Sequence, residues 1–260
     1  MERAGVDLPR SVHLAVWLPH LHGSAGQVTR AVTAIEGYDE PHRVVADDVD
    51  APGDGLADLL NEWGTSLTAV AAVLPVPGDA AGVPPEASIE AVEVGEGLLV
   101  ETREGSLIAL PEIEEFGSVH EVGHLVTWRL RPVQSWTLGV LGAVGSVADA
   151  EGELRTALLT ATEALDTLDV AQWHPDAADV ISSLRSPVDP AWQLPPELDA
   201  RRARVIALAA RLRVIVEFAA ADSGGAVNLW QADQRAAALR HIDNAARRAM
   251  SAATLVMLRS

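Results

Sequence analysis

Apolar and polar positions follow three regimes along the chain. Residues 11–18, SVHLAVWL, are an apolar run rich in β-formers and predict a strand. Ser24 precedes AGQVTRAVTAIEG, in which Val28, Val32 and Ile35 recur at helical spacing before Gly37, the pattern of a capped helix. HRVVA (42–46) predicts a short strand, GLADLLNEW (55–63) a helix and LTAVAAVLPV (67–76) another strand. Runs apolar on both faces belong to buried parallel strands, so the first third reads as a βαβαβ unit with right-handed crossovers.

The regime changes between residues 86 and 137, where no long helix is expected and antiparallel strands take over. LLVETREGSLIAL (98–110) reads as a hairpin turning at Glu104 and Gly105, and VTWRLRPV (126–133) alternates along its length. The glycine-rich stretch 138–152 fits a linker, a final strand or the entry to a helix. Beyond about residue 147 the apolar period is helical. Leu154, Leu158, Ala161, Leu165 and Leu168 share one face of the segment 149–173, and Val205, Leu208, Leu212 and Ile215 share one face of 197–222. Leu229, Ala236, Leu239, Ala246, Met250, Ala253 and Met257 extend a last helix over 226–258, and a short one is expected near 175–185. Long helices joined by short loops form antiparallel bundles. The expected fold is therefore α+β: a mixed-sheet α/β domain over 1–146 and an antiparallel helical bundle over 147–260.

Composition narrows the chemistry. The chain has 260 residues, no cysteine and a net charge of −18, and its 19 basic residues are all arginine. Thiolate chemistry, Cys-ligated metals, Schiff bases and the lysine of a phosphate-binding loop are thereby excluded. The acidic balance is concentrated in residues 1–146, which opposes binding to nucleic acid or to an anionic membrane surface. The arginines of the last two helices are expected to dock against that acidic first part. The opening MERAGVDLPRSVHL lacks the basic start and apolar stretch of a signal peptide, so a cytoplasmic location is expected.

One motif carries sharp chemistry. His120-Glu121-Val122-Gly123-His124 matches H-E-x-x-H, in which a helical turn brings two histidines onto one zinc ion and the glutamate acts as general base. Ser118 and Glu121 also match a helix capping box. Against a helix, even positions from 120 to 130 read His, Val, His, Val, Trp, Leu, while odd positions from 121 to 131 are mostly polar. That is a strand, which would hold His120 and His124 about 13 Å apart. Thr127 and Leu130 stand where the extended motif needs glycine and histidine, and roughly one or two chains in a hundred of this composition carry the short motif by chance.

A second candidate follows from the predicted topology. Three parallel strands would bring the loops 19–26, 47–55 and 75–85 to one crevice, where His20, His22, Asp47, Asp48 and Asp79 form a cluster suited to a divalent metal or a polar small molecule. No cofactor motif accompanies either candidate.

LPVPGD (74–79), FGSVHEVGHLVTWRLRPV (116–133) and GGAVNLWQADQRAAALR (224–240) resemble segments of a group of uncharacterised two-part proteins of high-GC Gram-positive bacteria. That resemblance implies no activity, cofactor or site residue. The residues thus favour a non-enzymatic interaction or structural protein, with a protein partner or self-association through the helical bundle. The alternative is a metal-dependent hydrolase that uses HEVGH, with Glu121 as its base, or the crevice cluster.

Overall fold

The computed structural model describes residues 8–21, 24–47, 53–118, 121–167, 193–221 and 229–258. In chain order the elements are α1 (Arg10–Trp17) with a 3-10 turn (Leu18–His20), α2 (Ala25–Glu36), β1 (Arg43–Ala46), α3 (Leu56–Ser66), β2 (Leu67–Val73) and α4 (Pro85–Val94). There follow β3 (Gly97–Thr102), β4 (Ser106–Ser118), β5 (Glu121–Val133), α5 (Thr137–Val144) and α6 (Val147–Thr167). After the undescribed stretch come α7 (Ala200–Ala221), α8 (Leu229–Thr254) and β6 (Val256–Met257). The short helix expected near 175–185 lies outside the described residues.

The protein is α+β with a mixed six-stranded sheet ordered β1-β5-β4-β3-β2-β6. Its parallel pair is β1 with β5, and β5-β4-β3-β2-β6 is antiparallel throughout. The predicted βαβαβ unit is therefore corrected. Residues 11–18 form helix α1, because Val12, Leu14, Ala15 and Val16 are buried on nearly every side, and a short run apolar all round has the same sequence signature in a helix as in a strand. Pro9 precedes the helix, and the buried Glu96 carboxylate accepts Ser11 N (2.8 Å) and Ser11 Oγ (2.7 Å) at its first turn.

Strand β2 is where it was expected, yet it runs antiparallel to its neighbours. Ala69 to Val73 are all buried because both faces of the sheet are covered there, and burial on both faces says nothing about strand direction. Helix α4 was not foreseen. It buries only Ala87 and Ala91, too narrow a stripe to register as periodicity, although Pro85 in its first turn and the left-handed Gly95 at its end are ordinary punctuation. The hairpin at Glu104 and Gly105 is as expected, and residues 121–133 are strand.

Helices α6, α7 and α8 pack on one another, and α8 also lies along β2. Ala245, Ala246, Ala249, Ala252 and Ala253 of α8 are buried, and side chains this small allow a close approach to the alanines of β2. The last helix ends at Thr254 rather than near 258, and the chain then adds β6 to the sheet beside β2. Arg202 of α7 closes that end by donating to the carbonyls of Ala253 (2.8 Å) and Leu255 (2.9 Å). An ion pair between the acidic first part and the arginine-bearing helices joins Arg247 to Asp79, and the buried residues around it are mostly alanine and aliphatic.

Candidate functional site

Strands β4 and β5 are 13 residues each and longer than any partner beside them. Strand β3 pairs with β4 only through Ala109, and β1 pairs with β5 only over Thr127 to Leu130. Beyond those points residues 113–118 and 121–126 continue as a two-stranded arm, paired from Ile113 with Val126 out to Ser118 with Glu121. Its far half exposes Ile113 (39%), Phe116 (44%), Val122 (52%) and Leu125 (42%) among Glu112, Glu114, Glu115 and Glu121. An isolated hairpin is marginal in water, so this one has to be held at its base.

The base is clamped by a charged and aromatic cluster. Arg10 of α1 grips Asp39 through both carboxylate oxygens, with Nε to Oδ2 at 2.6 Å and Nη2 to Oδ1 at 2.9 Å. His42 Nε2 lies 3.2 Å from Asp39 Oδ2, and the fully buried Trp128 of β5 donates its indole N–H to His42 Nδ1 at 3.1 Å. An indole nitrogen only donates, so His42 Nδ1 is the acceptor and Nε2 carries the proton that points to Asp39. His124 of β5 brings Nδ1 to 3.2 Å from Asp39 Oδ1, and its carbonyl accepts the Glu40 N–H. Burial pushes the Asp39 carboxyl up, but the hydrogen bonds from His42 and Arg10 and the Arg10 charge outweigh it and hold the group well below the usual carboxylate range. On the opposite face Phe116 lies over Gly123, where a Cβ would meet its ring at 2.4 Å, so the glycine is what lets the aromatic ring lie flat on the arm.

This places the sequence candidates. His124 joins Asp39 in the clamp, and Glu121 is exposed near the tip of the arm, paired in register with Ser118. His120 lies outside the described residues, as do His22 and Asp48. His20 ends the 3-10 turn after α1. Asp47 and Asp79 are not brought together: β1 and β2 run in opposite directions, so the loops after them leave opposite ends of the sheet. Asp47 lies 3.3 Å from Arg129, and Asp79 lies 3.5 Å from the buried Arg247. Among the described residues no group of three or more His, Asp or Glu is arranged to hold a metal ion. Asp39, Arg10 and His42 were not singled out from the sequence. The signal was faint: an aspartate and a histidine three residues apart in a polar loop, with the arginine far away in the chain.

Chemically, the clamp fixes a strand. Asp39 is filled by Arg10 and His42, and both ring nitrogens of His42 are engaged, so the groups that could move a proton are occupied with holding β5 in place. A polar cluster satisfied in this way rigidifies what it touches.

The sheet, its helices and the clamped arm define an α+β protein. Two family models match it, the Rv1486c-like protein N-terminal domain over residues 11–140 and the Rv1486c-like protein C-terminal domain over residues 148–251, so the chain belongs to the Rv1486c-like proteins. No curated protein and no solved structure matches the chain. Among the described residues no helix is long and apolar enough to cross a membrane.

Proposed function

We propose that this is a non-enzymatic interaction protein, acting in the cytoplasm, whose N-terminal mixed-sheet part presents the β4–β5 arm and whose C-terminal helical part supports the sheet. The observation that carries the reading is the arm itself. Four large apolar side chains stand exposed on a ribbon that a part-buried ion pair and a buried indole hydrogen bond hold at its base. Exposed apolar clusters rimmed by charge mark interaction surfaces. A photo-crosslinking residue at Phe116 should capture a discrete partner in cells, whereas one at Leu159, exposed on α6, should not. Capture of a second copy of this chain from Leu159 alone would favour self-association through the helices and remove the arm from the account.

A metal-dependent hydrolase is the second reading. What favours it is Asp39 beside His124 Nδ1, the arrangement of a carboxylate that orients a metal-bound histidine. Metal content of the protein purified without a metal-binding tag tests it. Stoichiometric zinc lost in His124→Ala would support this reading; less than about a tenth of an equivalent would end it.

A further inference from the structure

The open edge of β4 has a readable pattern. The Thr102 N–H bonds to the Gly105 carbonyl, which sets the phase of the β3–β4 hairpin: odd-numbered residues of β4 turn their backbone groups toward β3, and even-numbered ones toward β5. The other side of the ribbon agrees, because the even-numbered His124 and Leu130 of β5 turn their carbonyls away from β4 and accept Glu40 N and Asp47 N. Past the end of β3, Pro111, Ile113 and Glu115 therefore turn to the side that has no strand beside it among the described residues; Pro111 is buried, and the exposed part of the edge begins after it. Pro111 offers a carbonyl and no N–H; Ile113 and Glu115 offer both.

Proline and acidic residues on an open edge are the devices by which proteins prevent their own edges from pairing. Here they also specify what is admitted. The four residues Ile113, Glu114, Glu115 and Phe116 read apolar, acidic, acidic, apolar, and residues 111–126 contain no arginine to balance Glu114, Glu115 and Glu121. A second arm brought edge to edge would set glutamate against glutamate. The adjacent arginine pairs Arg201-Arg202 and Arg247-Arg248 lie inside α7 and α8, where their backbone cannot pair with a strand, so a second copy does not supply the complement from its described residues.

We propose, resting on the arm as the interaction surface, that the exposed β4 edge from Ile113 to Phe116 accepts an extended segment of a different protein with the order apolar, cationic, cationic, apolar. Strand addition supplies backbone hydrogen bonds to Ile113 and Glu115, and cross-strand neighbours supply the choice of sequence. The two cations meet Glu114 on one face and Glu115 on the other, while the apolar residues meet Ile113 and Phe116. The order is the same read in either direction, so it holds for parallel and antiparallel addition.

The test uses the full chain and a Thr-Val-Arg-Arg-Val-Thr peptide, followed by labelled-peptide anisotropy and by amide resonances of the arm. The peptide should bind, shift and protect the Ile113 and Glu115 amides, and lose at least about tenfold in affinity between roughly 50 and 500 mM salt. Ile113→Pro removes one edge N–H without touching the β5 side and should weaken binding about tenfold or more. The double variant Glu114→Arg, Glu115→Arg should reverse preference toward Thr-Val-Glu-Glu-Val-Thr. Equal binding of the two peptides to the unaltered protein overturns the cationic partner while leaving the arm as the surface. Unchanged affinity in Ile113→Pro overturns strand addition. No response of the arm amides to either peptide overturns the inference as a whole, and the crosslinking at Phe116 then decides separately whether the arm binds anything.

Discussion

The outer edge of β2 and the open edge of β4 carry the same row of backbone donors and acceptors, and the protein treats them in opposite ways. Along β2 every stretch of that edge is met by the C-terminal part of the chain. Thr68 O accepts Leu258 N, Ala69 and Val70 pair with β6, Ala72 N donates to Thr254 Oγ1, and Leu74 O accepts Arg247 Nη1. Two strand residues, a threonine hydroxyl and an arginine together do the work of a neighbouring strand. Along β4 beyond the buried Pro111 nothing described does so. An edge inside a core has to be satisfied, because unpaired backbone groups away from water are costly, while an edge in water can be left for a partner.

The largest effect is expected where the covered edge depends on one side chain. Arg247 is 5% exposed and reaches Asp243 (2.8 Å), Asp79 (3.5 Å) and the Leu74 carbonyl (2.8 Å), so Arg247→Ala should lower stability by about 3–5 kcal/mol in urea unfolding. For the same reason residues 1–146 expressed alone should fail to fold. A soluble, cooperatively unfolding 1–146 fragment would show that the two parts are independent.

Acid should act next, through α1. Burial, with the Arg10 charge one turn away, pushes His13 down to about 4. The unfolded chain then takes up that proton first, so stability falls as pH drops from about 6.5 through 4, by up to roughly 3 kcal/mol. His13→Leu should flatten that segment of the profile. Asp39 is shifted in the direction of a paired carboxylate, so its contribution is present above about pH 4 and is lost only on further acidification. Asp39→Asn should remove that last loss and loosen the arm at neutral pH, read as faster amide exchange at Val122 and Leu125.

A smaller change is expected in the clamp. Trp128→Phe keeps the apolar burial but removes the donor to His42, and should lower stability by about 1–2 kcal/mol. The smallest is at the open arm: Phe116→Ser and Val122→Ser should each shift stability by no more than about 0.5 kcal/mol, while Phe116→Ser abolishes peptide binding and Val122→Ser weakens capture by the crosslinker at position 116. A large loss of stability there would mean that the arm is part of the core and not a docking element.

Helices α2, α3 and α6 to α8, the β3–β4 hairpin and a strand through the HEVGH segment into VTWRLRPV were legible from period and punctuation. Helices α2 and α3 have one buried face and one in water, and the hairpin has a glycine where the chain turns. The strand pattern of His124, Val126, Trp128 and Leu130 was legible because apolar and polar positions alternate there. The candidate cluster of His20, Asp47 and Asp79 rested instead on strand direction, which composition does not encode.

By itself, then, the sequence determined where apolar surface had to be buried, and so which segments are regular and roughly which of their faces point inward. Three things were decided only by the tertiary structure. Residues 11–18 became a helix, because a run buried on every side has no period to distinguish helix from strand. Strand β2 became antiparallel, because direction follows from which neighbours complete its backbone bonds, and one of those, β6, lies nearly two hundred residues away. Arg10, Asp39, His42 and Trp128 became one clamp because a polar side chain in the interior takes its partners from space and not from the chain.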